Sequence, residues 1–264
     1  MRCEEYVRPK SIEKAYELLN TNKNSAILGG GMFLRLSPKN YKLLIDVCDL
    51  GLKYINEGKD YIEIGSMTTF ADMEKSEIIK KLSNGVLIHS IRDIVGKQMR
   101  NMVTVGGTVN GRYGFSEFLT ALLCLDTKVI LHKSGEMPLG NYLSKKDNKQ
   151  KDIIEKILVN KESRRAKFLT LKNSYGDFPI LCVAVSKNKG DFKISVGARP
   201  GVASLAVKTE EYLKSRELNE RVIDEAIKLI PLELVFGSDY RASKGYREEV
   251  GKVLVRRCLM EVCK

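Results

Sequence analysis

A chain of 264 residues, 43% apolar and 30% charged, is long enough for two or three packed modules and polar enough to fold and stay soluble. It has no run of about 18 apolar residues, which excludes a transmembrane helix. The charged opening Met1-Arg2-Cys3-Glu4-Glu5 leads into no apolar leader, so the expected location is cytoplasmic.

The formal net charge is +12, and half of it lies between Ser144 and Lys172, where eight Lys and two Arg meet two Asp and two Glu. Few aromatics accompany these cations, so a base-stacking nucleic-acid platform is disfavoured. The stretch reads as a solvated linker or a partner-facing surface.

In chain order, Ser11 caps a helix over 11–20 whose apolar face is Ile12, Ala15, Leu18 and Leu19. Ala26-Ile27-Leu28 is a strand running into Gly29-Gly30-Gly31. Lys42 to Val47 and Tyr61 to Gly65 are the next strands. Thr69 caps a second helix, and 86–95 suggests another. Val103-Thr104-Val105 reads as a strand entering Gly106-Gly107. Ser116 to Leu125 is helical, Lys128 to His132 a strand, and 144–152 a loop. Past it come three antiparallel strands, 168–172, 178–186 and 192–198, separated by Tyr175-Gly176-Asp177 and Asn188-Lys189-Gly190. Helices follow at 209–216, 219–230 and 247–262, the last with Val250, Val253, Leu254, Cys258 and Val262 at helical spacing.

Six cysteines are present without a C-x-x-C pair or a histidine at zinc spacing, so they read as reduced thiols, with Cys124, Cys182 and Cys258 inside apolar runs. The two histidines, His89 and His132, give little support to a nucleophilic triad.

The informative features are the two glycine turns, Leu28-Gly29-Gly30-Gly31-Met32 and Thr104-Val105-Gly106-Gly107-Thr108-Val109-Asn110. A diphosphate needs several donors at close range, and glycines present backbone N–H groups with no side chain in the way. Thr104, Thr108 and Asn110 add side-chain donors. A Rossmann reading fails because Leu34 occupies the third glycine position. The roughly ten residues before the next strand, interrupted by Pro38, are also too few for a crossover helix. The P-loop pattern is absent.

In this order, Leu28-Gly29-Gly30-Gly31, Leu44-Ile45-Asp46-Val47, Ile64-Gly65-Ser66-Met67-Thr68-Thr69, Gln98-Met99-Arg100-Asn101 and Thr104-Val105-Gly106-Gly107 resemble the flavin subunits of molybdenum hydroxylases, the xanthine and carbon monoxide dehydrogenase family. Gly176-Asp177-Phe178, Ser195 to Pro200, and Asp239-Tyr240-Arg241-Ala242-Ser243 before Tyr246-Arg247 continue the likeness nearly to the end of the chain. Departures occur at Gly31, Met32 and Tyr113-Gly114-Phe115, where relatives often carry Thr or His, Asp or Ser, and a proline-containing stretch.

The resemblance implies an α+β protein with a vanillyl-alcohol-oxidase-type FAD fold. Two α/β subdomains, 1–55 and 56–163, would precede a domain over 164–264 with a three-stranded antiparallel sheet and helices. It implies FAD held at Leu28, Gly29, Gly30, Gly31, Met32 and Phe33 and at Thr104, Gly106, Gly107, Thr108 and Asn110. Ser116 and Glu117 would lie on the adenine side, and Lys172 and Phe178 near the flavin ring. The implied partners are a [2Fe–2S] small subunit and a molybdopterin-binding large subunit, with NAD or another molecule as electron acceptor and no catalytic residue on this chain. A self-contained flavin oxidase of the same fold and a basic RNA-binding or scaffold protein are the alternatives. Bound flavin colour separates the last from the others.

Overall fold

The computed structural model describes residues 1–145, 151–214 and 216–264, so most of the expected loop 144–152 lies outside the described residues. The chain divides into two compact units, each built from three separate stretches. Met1–Lys75, Gly96–Gly111 and Lys128–Val159 form the first; Ser76–Val95, Arg112–Thr127 and Asn160–Lys264 form the second.

In the first unit, β1 (Arg2–Val7), β2 (Ser25–Leu28) and β3 (Asn40–Asp46) make a parallel sheet in the order β1-β3-β2. Central β3 buries Leu43, Leu44 and Ile45 in succession, as a parallel strand covered on both faces requires. The helix Ile12–Thr21 crosses from β1 to β2. The Ser11 hydroxyl caps it by accepting the Lys14 N–H at 3.2 Å. Its Ala15 and Leu19 join Leu43, Ile45 and Val47 in one core. β1 escapes a reading based on alternation because five of its six residues are exposed.

A second sheet of five strands has the order β4-β5-β8-β6-β7, where β4 is Ile55–Glu57, β5 Tyr61–Gly65, β6 Lys128–Leu131, β7 Gly135–Pro138 and β8 Ile154–Asn160. The strand expected at Val103-Thr104-Val105 is not one. Thr104 makes a single antiparallel bridge to Thr69, and a helix, Val105–Gly111, starts at once. The β-branched run suggests a strand. However, the Val105 and Gly106 amides donate to the Thr68 and Ser66 carbonyls at 2.9 and 2.8 Å, and these bonds turn the chain into the helix.

In the second unit, β9 (Arg165–Leu171), β10 (Leu181–Asn188), β11 (Asp191–Gly197) and β12 (Ser204–Leu205) form an antiparallel sheet in the order β12-β11-β10-β9. It has four strands where the resemblance implied three, because a two-residue strand is too short to show a period. The α+β class stands. β10 is buried from Leu181 through Ser186 because both sheet faces are covered. Leu181, Val183 and Val185 pack in the core that holds Leu254, Val255, Cys258 and Leu259 of the helix Lys244–Val262. On the opposite face, Cys182 meets Thr120 of the helix Glu117–Leu123 at 3.3 Å, and the Ser195 hydroxyl donates to the Thr120 carbonyl at 2.5 Å. All seven residues of that helix are buried.

The buried stripe of the last helix runs Arg247, Gly251, Leu254, Val255, Cys258, Leu259, Val262, while Val253 faces outward. Arg247 is wholly buried. It donates to the carbonyls of Ile180, Gly237 and Ala242 at 2.9, 2.9 and 2.6 Å and to Asp239 at 2.6 Å.

The basic stretch is less solvated than its composition suggests. Lys151 donates to the Ser25 carbonyl at 2.9 Å, and Lys156 pairs with Glu63 at 2.9 Å. Arg164, 4% exposed, binds the Ser186 hydroxyl at 2.9 Å and Asp191 at 2.8 Å. No helix of the described residues is long and apolar enough to cross a membrane.

Candidate functional site

The first unit contains an open cleft. Gly29 lines it on one side and Thr104, Gly106, Gly107 and Asn110 on another; Ser66, Met67, Asp152, Ile153 and Ile154 complete it. The two glycine turns thus meet at one place, and they do so at van der Waals limits. A Cβ on Gly30 would fall 1.4 Å from the Met102 carbonyl oxygen. A Cβ on Gly29 or Gly107 would fall 2.9 or 2.8 Å from the Thr104 hydroxyl, which therefore stands between the two turns. That hydroxyl accepts the Gly107 N–H at 3.2 Å. Gly31 has φ +69°, a backbone state that side chains strain.

The two turns differ in what they leave free. The amides of Val105, Gly106, Gly107 and Thr108 are occupied by Thr68 O, Ser66 O, Thr104 Oγ1 and Thr104 O. Half-buried Gly29, Gly30 and Gly31 have amides with no protein acceptor among the described residues. Arg35 lies beside this turn and donates to the Met32 Sδ at 3.4 Å. Unpaired amides grouped on a glycine turn form an anion-binding concavity. On the opposite wall, glycine at 106 and 107 lets the helix start pack directly on Ser66 and on the Thr104 hydroxyl. The cleft fits a dinucleotide diphosphate.

Its one carboxylate among the described lining, Asp152, is engaged by neighbouring donors. Burial works against its charge. The Ser134 hydroxyl (2.7 Å) and the amides of Ser134, Ile153 and Lys133 outweigh that and hold it below the usual carboxylate range.

Leu28 ends β2, half-buried; Met32 is buried, and Phe33 precedes a short turn of 3-10 helix, Leu34–Leu36. Thr108 is buried and donates to the Thr104 carbonyl at 3.0 Å. Asn110 is exposed at the cleft, and its Oδ1 accepts from the Tyr142 hydroxyl at 3.0 Å.

The remaining expected site residues belong to the second unit. Ser116 caps the helix Glu117–Leu123 by accepting the Leu119 N–H at 3.2 Å. Glu117 and Lys172, which the resemblance assigns to different ends of FAD, form one buried ion pair at 2.9 Å. Burial pushes the Glu117 carboxyl up, against the pull of Lys172. Phe178 is 37% exposed, packs on Phe115 at 4.3 Å and lies under Arg241 at 5.3 Å. Ser66, Met67, Asp152 and Tyr142 received no site role from sequence reasoning; for Ser66 and Met67 the signal was the motif Ile64 to Thr69, whose Gly65 packs so closely that a Cβ there would lie 2.3 Å from the Leu52 carbonyl oxygen.

Residues 2–160 match the FAD binding domain in molybdopterin dehydrogenase, over more than half of the chain. The chain belongs to that family. Residues 166–262 of this flavoprotein match the CO dehydrogenase flavoprotein C-terminal domain. It is 26% identical to the glyceraldehyde dehydrogenase medium chain of Sulfolobus acidocaldarius, covering 97% of each chain. It is also 26% identical to the nicotine 6-hydroxylase medium subunit of Paenarthrobacter nicotinovorans, covering 97% of this chain and 96% of that one. A chain of reconstituted CO dehydrogenase from Oligotropha carboxidovorans shares the fold at a TM-score of 0.90 and 21% identity, with 99% and 98% of the two chains covered. The flavoprotein is thus a FAD-binding subunit of an oxidoreductase of the molybdenum hydroxylase family.

Proposed function

We propose that this subunit is the electron outlet of its complex. It takes electrons from [2Fe–2S] clusters on a small partner chain and delivers them to NAD or another acceptor, in the cytoplasm. A molybdopterin-binding large chain would oxidise the organic substrate. The observation that carries the reading is the cleft lined by Gly29 of one glycine turn and by Thr104, Gly106, Gly107 and Asn110 of the other, inside the stretch that matches a FAD-binding domain. Bound FAD supplies the redox chemistry, accepting electrons singly and releasing them in pairs.

The chain's own residues supply position and charge. Gly29, Gly30 and Gly31 donate amides to the diphosphate, with Leu28, Met32 and Phe33 fixing the turn. Thr104 spaces the two turns, and Gly106, Gly107, Thr108 and Asn110 form the facing wall. Ser116 fixes the start of the helix that carries Glu117. Glu117 holds Lys172 in place, and Lys172 and Phe178 adjust the flavin's potential rather than its retention. The six cysteines are unpaired, which suits a reducing compartment.

The experiment is reconstitution. The chain is loaded with FAD and mixed with an aldehyde or an N-heterocycle, the two classes for which the relatives above are named. The flavin should stay oxidised until the Fe–S and molybdenum chains from the same source are added. Rapid bleaching without partners would instead establish a self-contained oxidase.

A further inference from the structure

We infer that Tyr142 is a positioning residue for the nucleotide cleft: its hydroxyl fixes the Asn110 amide so that Nδ2 donates into the cleft. This rests on the seating of FAD proposed above. Asn110 lies in the last turn of the helix Val105–Gly111 and lines the cleft, exposed. An exposed asparagine side chain ordinarily rotates, and its two ends, one donor and one acceptor, are nearly isosteric. Here the Tyr142 hydroxyl donates to Oδ1 at 3.0 Å and removes that freedom. Tyr142 can hold the geometry because it is itself buried, 6% exposed, on the helix Leu139–Ser144.

With the oxygen end engaged, only the NH₂ end faces the cleft. That polarity matters for an anionic ligand. An outward carbonyl would repel phosphate or sugar oxygens, while an outward NH₂ binds them. The donor also compensates for the facing helix, whose first amides are occupied within the protein. The wall that lacks free backbone donors thus acquires one from a side chain, oriented before the ligand arrives.

The test measures FAD affinity of the full chain by quenching of flavin fluorescence, with thermal unfolding of the FAD-free protein alongside. Y142F keeps the ring in its site and deletes only the hydroxyl. It should weaken FAD binding about five- to tenfold, the scale of one hydrogen bond, with the unfolding temperature little changed. N110A should weaken binding by a similar factor, and N110D by more, because it presents an acceptor. The double variant Y142F/N110A should bind no worse than N110A alone, the result expected of a residue that acts on the ligand through Asn110.

Equal losses from Y142F in the presence and absence of Asn110, or an unchanged affinity in Y142F beside a weakened N110A, overturn the positioning role and leave the cleft assignment intact. Unchanged affinity in both N110A and N110D places the nucleotide away from this wall and overturns the cleft assignment together with the inference. Should Y142F unfold, N110D measured beside N110A still decides the donor polarity: equal affinities in the two overturn it.

Discussion

Selected polar groups of the two units are treated in opposite ways. In the second, three buried cations are matched within the protein. Arg247 is matched by three carbonyls and a carboxylate, Arg164 by a hydroxyl and a carboxylate, and Lys172 by Glu117. In the first, the glycine turn leaves its amides open beside a cleft. An unmade hydrogen bond in a protein interior is costly. Open amides cost least where water or a ligand can reach them. Fully satisfied ions specify a rigid core, and half-satisfied amides specify a site.

Substitutions can test that contrast. The largest effect is expected from Gly30→Val. Its Cβ would overlap the Met102 carbonyl, which is backbone and cannot swing aside. The cost should exceed the roughly 1–3 kcal/mol of ordinary overpacking. FAD content and unfolding temperature should fall together, because this glycine serves the protein before it serves a phosphate. A variant with full flavin occupancy and unchanged stability would refute the close approach of the two turns.

Next comes Arg247→Met. It strands Asp239 and three carbonyls, for a loss of about 3–5 kcal/mol in denaturant titrations. FAD affinity of the folded fraction should hold, since the residue belongs to the other unit.

The third effect is pH-dependent. Glu210 is buried and accepts the Ile194 N–H at 2.7 Å, and burial pushes its carboxyl up to about 7. A raised carboxyl favours the protonated folded form. Its stabilising contribution is complete below about 4.5 and is lost as pH rises through about 7. Glu210→Gln should flatten that slope, by up to about 3 kcal/mol across the range. Parallel stability curves for both proteins from pH 4 to 8 would count against it.

The smallest stability effect belongs to Gly107→Ala. The new methyl would press on the buried Thr104 hydroxyl, a cost that offsets the roughly 0.5–1 kcal/mol by which alanine favours a helix. Stability should be nearly unchanged while FAD affinity drops severalfold. That separation of the two readouts is the mark of a ligand-facing glycine.

Where the sequence was legible, a short-range rule sufficed. Ser11 and Ser116 cap the helices they precede, and β9, β10 and β11 form an antiparallel sheet close to the expected segments. The glycine turns were recognised as turns, but not why their residues must be glycine. The contact that excludes a side chain at Gly30 comes from Met102, 72 positions away. Val103-Thr104-Val105 misled because local β preference yields to two backbone bonds toward Ser66 and Thr68. Arg164 read as surface because it stands in a basic run, and no local pattern shows that its side chain ends on the Ser186 hydroxyl and the Asp191 carboxylate. Tyr142 gave no signal, since one buried tyrosine in a short helix is ordinary until its hydroxyl is seen to end on Asn110.

The interleaving of the two units has a consequence for biosynthesis. The chain passes from one unit to the other five times. The helices Val86–Ile91 and Glu117–Leu123 leave the ribosome well before β9, β10 and β11, which belong to their unit. The wholly apolar residues Phe118, Leu119, Leu122 and Leu123 thus wait uncovered while some 70 further residues are made. At the usual rate of 5–20 residues per second that wait lasts several seconds, ample time for misassociation. The nascent protein needs shelter during this interval, and a single cut between residues 160 and 166 would leave the first unit whole on one fragment while dividing the second between both.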